Sequence, residues 1–202
     1  MRLVALESDK VDRFWQWFAQ NATRMTRVET DMTLSNEIAR ELRRIHQPDD
    51  YVGNGPCLGF DFGEKKDGQR ELIITAHGII SALHLATRLA DSAPPIPGWR
   101  VSALVRRKNT DRLLNEYQLG PDDVWFKHEI VDARLNLTVF VINLPEEKEH
   151  DILAIRDLLI YTLGEEVFAK KINVFDCQRL PTDPEIWSLR RLRELPEIAD
   201  KL

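Results

Sequence analysis

The chain has 202 residues, 43% of them hydrophobic, two cysteines and a formal charge of −5. That content supports a sizeable core and excludes a disordered chain, and the acidic balance argues against nucleic acid, whose binders need a concentrated basic surface to release counterions. Two cysteines make no disulfide scaffold, Met1 to Glu7 meets an acid before a signal-length apolar run develops, and no stretch approaches the roughly 20 apolar residues of a membrane helix, so a cytoplasmic setting without membrane contact is expected.

Ser8 is placed to cap a first helix in which Val11, Phe14, Trp15 and Phe18 recur at helical spacing. Leu34, Ile38, Leu42 and Ile45 predict a second, and the pair forms an N-terminal cover over residues 8–47. From Cys57 to Gly63 the residues alternate, with Leu58, Phe60 and Phe62 on one face of a strand and Gly59, Asp61 and Gly63 on the other. Asp67-Gly68 supplies a tight turn into a second strand, Glu71 to Ala76. A helix from Ile79 to Ser92, with Ile79, Leu83, Ala86 and Ala90 turned inward, stops at the Pro94-Pro95-Ile96-Pro97-Gly98 connector, and Trp99, Val101, Ala103 and Val105 mark a third strand.

The second half repeats that order. Val124 to Val131 and Asn136 to Asn143 read as a hairpin, Pro145 and Glu146-Glu147 open a helix running to about Leu163, and Ile172 to Gln178 forms a last strand. Asp183-Pro184 then starts a C-terminal helix over residues 184–194, carrying Ile186, Trp187, Leu189 and Leu192. The expectation is an α+β fold, mainly antiparallel sheet with helices packed on it, arranged as one compact unit over residues 1–202. Within it, two β-β-α-β halves, 52–108 and 120–180, follow the two N-terminal helices.

The Phe14-Trp15-Gln16-Trp17-Phe18 opening, the Phe60-Asp61-Phe62-Gly63 strand, Glu71 to Gly78 and the Ala93-Pro94 … Pro97-Gly98-Trp99 run together resemble a bacterial domain family of unknown function. The likeness covers the first half well and the second half by layout. Members of that family sometimes share a chain with domains resembling the ribonuclease E inhibitor B type, which implies an interaction or regulatory context. The family pattern carries an acidic residue more often where this chain has His77, so the resemblance implies no shared catalytic histidine.

His77, between a strand and a helix, is the main candidate for chemistry, because imidazole titrates near neutral pH. It would need Asp61 as an orienting carboxylate and Arg106 as a cation at the same end of the sheet. The plainer reading of His77-Gly78 is a structural turn. His46, His77, His84, His128 and His150 show no metal-ligand spacing, and Gly53-Asn54-Gly55-Pro56 precedes a strand where a phosphate loop should follow one, so neither a metal nor a cofactor is expected. Arg190, Arg191 and Arg193 beside Trp187 read as a solvated, cation–π-decorated surface.

Trp17 and Trp99 are candidate surface anchors for a partner protein, and Arg107 is a candidate contact for an acidic one. The expected function is a non-catalytic interaction or regulatory protein. The alternatives are an enzyme or small-ligand binder around His77, and an oligomeric scaffold joined through an exposed strand edge.

Overall fold

The first helix presents every third or fourth residue to one side, and that periodicity determines what it packs against. In a computed structural model, which describes residues 8–27, 31–46, 58–116, 118–142, 148–184 and 186–202, α1 (Ser8–Met25) buries Val11, Phe14, Trp15, Phe18, Ala22 and Met25. The Gly53 to Pro56 stretch, Cys57 and Pro145 to Glu147 lie outside the described residues. The side chain of Asp31 accepts the Thr33 backbone N–H at 2.9 Å and so caps α2 (Met32–His46), which buries Leu34, Ile38, Leu42 and Ile45. A two-pronged pair, Arg24 to Glu37 at 2.7 and 2.8 Å, links the two helices.

The chain divides into two compact units, Met1–Val105 and Arg106–Leu202. In the first, β1 (Gly59–Phe62) pairs antiparallel with β2 (Arg70–Thr75), and β2 pairs parallel with β3 (Trp99–Ala103). A short 3-10 turn (Ile80–Ala82) and α3 (Leu83–Asp91) make the crossover that a parallel pair requires. Leu58, Leu72, Ile74, Ala76 and Trp99 face the core shared with α1, α2 and α3, and Phe60, Phe62, Val101 and Ala103 pack against it. Two indoles lock the layers: Trp15 Nε1 donates to the Leu89 carbonyl at 3.1 Å, and Trp99 Nε1 to the Ala22 carbonyl at 3.0 Å. Each buried N–H thereby finds an acceptor on a helix backbone.

The expected helix from Ile79 is corrected here. Ile79 is exposed and precedes the 3-10 turn, while the buried residues of the segment are Ala82, Leu85, Ala86, Leu89 and Ala90. A shift of register explains this: α3 begins only after the chain has turned the corner at His77-Gly78 and spent three residues in the tighter helix.

In the second unit a short α4 (Asp111–Glu116) precedes β4 (Val124–Val131), which pairs antiparallel with β5 (Arg134–Val141). After α5 (Lys148–Leu163) and α6 (Glu165–Lys171), β6 (Ile172–Arg179) pairs parallel with β5. The two-residue β7 (Arg190–Arg191) pairs with the outer edge of β4, giving the order β6-β5-β4-β7. The β-β-α-β order therefore occurs in both units, and the fold is α+β. α5 ends at Leu163 as expected, Gly164 at φ 83° separates it from α6, and α6 fills residues that the sequence pattern leaves unassigned. The Arg134 guanidinium caps the carboxyl end of α6, donating to the carbonyls of Ala169 and Ile172.

The hairpin turns by Asp132 and Ala133, at φ 49° and 59°, so β5 begins two residues earlier than expected. An alanine in the left-handed region costs about 1–2 kcal/mol relative to glycine's freedom there. Ala133→Gly is therefore expected to raise stability, by up to about 1 kcal/mol after the added unfolded-chain entropy is set against the relief. Thermal melts check this, and a lower midpoint would count against the turn geometry.

The C-terminal helix expected over residues 184–194 is replaced by a turn, β7, a 3-10 segment (Leu192–Glu194) and α7 (Leu195–Ala199). Ser188, at φ 53°, stops helical progress. Leu189 is buried beside Trp125 and Phe140, and Arg190 and Arg191 pair with β4, so pairing to a sheet edge overrides the local helical spacing.

Candidate functional site

The corner at the end of β2 is a tight turn. Ile79 N–H donates to the Ala76 carbonyl at 2.9 Å, and the two central residues, His77 and Gly78, have φ of 52° and 73°. Paired positive φ values define the mirror-image type I′ geometry, in which glycine is unstrained and histidine is among the more tolerant side-chain-bearing residues. The His77 backbone N–H donates to Thr75 Oγ1 at 3.0 Å. Its imidazole lies on Gly59 so closely that a Cβ there would fall 2.0 Å from Nε2.

Gly59, Asp61 and Gly63 share the sheet face opposite the core, together with Glu71, Ile73, Thr75, Arg100 and Ser102 through the strand register. Asp61 and His77 are thus on one face, with Asp61 roughly 7 Å along β1 from the glycine beneath the imidazole. Asp61 Oδ1 accepts the Phe62 backbone N–H at 2.7 Å. Gly63 N–H bonds to the Glu71 carbonyl, so Phe62, one residue out of phase, turns its N–H to the outer edge of β1, and the carboxylate covers it there. Glu71 lies over Gly63, accepting Ser102 Oγ at 2.9 Å and pairing with Arg100 at 3.1 Å. The two glycines are therefore the floor on which His77 and Glu71 rest. Arg106 is exposed and belongs to the second unit.

The other sequence candidates divide by burial. Trp99 is in the core and donates to α1, which corrects its reading as a surface anchor; Trp17 is half-buried against the same core. Arg107 grips Asp200 with both terminal nitrogens, at 2.8 and 3.2 Å. That hydrogen-bonded pair holds the Asp200 carboxyl below its ordinary pKa and ties the start of the second unit to the end of α7. Arg107 is thereby a clasp within its unit. Cys177 is buried, and no group of three or more potential metal ligands gathers among the described residues.

A shallow concavity of about 390 Å³ lies over β4, β5 and β6, lined by Lys127, His128, Glu129, Thr138, Val174 and Asp176 among others. Burial, and secondarily the Arg190 charge, holds the His128 imidazole below its ordinary pKa. The unfolded chain then binds the proton more readily, so the stability His128 preserves is complete above about pH 6.5 and is lost as pH falls through the lower folded value. His128→Gln is expected to flatten the decline in denaturation midpoint between about pH 7 and 5. An unchanged slope would show that other groups set it.

Sequence reasoning did not single out the most exposed large apolar pair among the described residues. Ile186 is 80% and Trp187 63% exposed, on a knuckle built by hydrogen bonds from Ile186 N–H to the Asp183 carbonyl and from Trp187 and Leu189 N–H to the Pro184 carbonyl. Its base is fixed on both sides. Leu189 and Leu180 pack with Trp125 and Phe140, and the Arg191 guanidinium stacks 4.6 Å from the Trp125 ring while pairing with Asp122. The sequence signal is Ile186-Trp187 next to Pro184, which the sequence pattern places on a helix docked on the body, with Trp187 beside the arginines of a solvated surface.

These features define an α+β protein of two β-β-α-β units. No protein-family model matches the chain, and neither the curated proteins nor the solved structures hold a match. No helix among the described residues is long and apolar enough to cross a membrane.

Proposed function

We propose that the chain is a non-catalytic interaction protein that engages a partner protein through the Ile186–Trp187 knuckle, in the regulatory bacterial cytoplasmic context its family resemblance implies. The exposure of this pair on a braced turn carries the reading. Tryptophan concentrates binding energy where it fills a partner's pocket, and a turn already held in shape loses little entropy on binding. The polar face around His77 supports this reading over catalysis, because its carboxylates are already engaged, Asp61 by a backbone N–H and Glu71 by Ser102 and Arg100.

Affinity capture with the wild-type chain and with an Ile186→Ser/Trp187→Ser double variant, in parallel from native cells, tests the proposal. A protein retained by the wild type and lost with the variant, at an unchanged melting temperature, is the expected result. Identical retention by both would overturn it.

A further inference from the structure

We propose that the chain self-associates as a two-fold dimer by adding the outer edge of β4 to the same edge of a second copy. The hairpin register decides which backbone groups are available. Val131 and Arg134 flank the two-residue turn, so Val131, Glu129, Lys127 and Trp125 direct their N–H and C=O groups at β5, while Phe126, His128 and Ile130 direct theirs outward. β7 takes up Phe126 through Arg190 and then departs at Ser188, whose positive φ carries the chain off the edge. The outward groups of His128 and Ile130 have no backbone partner among the described residues. Beside them Ile130 is 58% and Val131 40% exposed.

A second copy fits this gap in one register. Pairing His128 with the partner's Ile130, and Ile130 with the partner's His128, makes four N–H···O bonds and places Glu129 on the two-fold axis. A shift that carries the strands further past each other drives the partner's Ile130 into the place Arg190 occupies opposite Phe126. The opposite shift loses hydrogen bonds. In the permitted register the partner's strand ends at Val131, opposite Lys127, and its Asp132, the first residue of the turn, leaves the edge beside the position that Arg190 fills opposite Phe126. That aspartate meets the exposed Arg190, an opposite charge. Lys127 of each copy stands diagonal to the partner's Glu129 and offsets the repulsion of the two carboxylates across the axis. β7 thus acts as a stop that selects the register, and the helices of both copies fall on the same side of one continuous sheet.

Five residues per strand give a small interface, so dissociation constants of about 10–100 µM are expected. Sedimentation equilibrium of the purified chain across that range tests the proposal without any other partner. The wild type should shift from monomer to dimer, and Ile130→Pro should remain monomeric at an unchanged melting temperature, because position 130 spends its N–H outward and not on β5. If Ile130→Pro lowers the melting temperature, Arg190→Glu decides: a loss of at least about fivefold in dimer affinity is expected from placing an acid against the partner's Asp132. A wild-type monomer at about 1 mM, or a dimer that Arg190→Glu leaves unweakened, would overturn the inference.

Discussion

Phe18→Ala is expected to destabilise the first unit by about 3–5 kcal/mol, near the upper end for a single core substitution. Phe18 is fully buried and meets Trp99 edge-on at 5.2 Å and Trp15 at 6.1 Å. Its removal opens a cavity bounded by two rings that cannot collapse into it, because Trp15 is held to the Leu89 carbonyl and Trp99 to the Ala22 carbonyl. The large value follows from that rigidity, since the cost of a large-to-small change rises with the cavity left behind. Urea denaturation measures it, with Gln20→Ala on the exposed side of the same helix expected to change stability by no more than about 0.5 kcal/mol. A loss below about 1 kcal/mol for Phe18→Ala would mean that the indoles are not pinned as described.

Gly59→Ala is expected to cost about 1–3 kcal/mol, and the cost should depend on His77. The added methyl falls on the imidazole, which must leave its seat while its backbone is fixed in a left-handed turn. His77→Asn alone should be close to neutral, because asparagine also tolerates that conformation. Combined with Gly59→Ala, it should recover much of the loss, since the shorter side chain clears the methyl. A double-mutant cycle reads this directly. Additive effects would show that His77 and Gly59 do not pack on one another, whereas coupling of about 1 kcal/mol or more establishes the histidine as part of the corner's architecture.

The fold was legible wherever one residue determined one geometry. Alternation around Phe60 and Phe62, the Asp67-Gly68 turn and the helical spacing of Phe14, Trp15 and Phe18 each name an element that the structure contains. The failures have a common physical origin in long-range pairing. Residues 184–194 have apolar spacing suited to a helix, yet Arg190 and Arg191 pair with Phe126 and Trp125 on the edge of β4, a strand some sixty residues earlier in the chain, and the local preference yields. Asp132-Ala133 turns a hairpin without glycine because the flanking strands impose the turn.

The site followed the same division. Gly59, Asp61 and Gly63 were readable as one face, but the seat of His77 on Gly59 depends on a left-handed φ that histidine does not announce. Trp99 and Trp187 show the limit most plainly. Composition cannot tell a core indole from a displayed one, and here the register of β3 buries the first while the stop at Ser188 exposes the second.

Photo-crosslinking in living cells tests the central claim most directly, with benzoylphenylalanine placed at position 187 in one variant and at position 17 in another. Display of Trp187 as the contact for a partner predicts a discrete crosslinked species from position 187 and none of that mass from position 17. The same species from both positions, or none from 187, would contradict it.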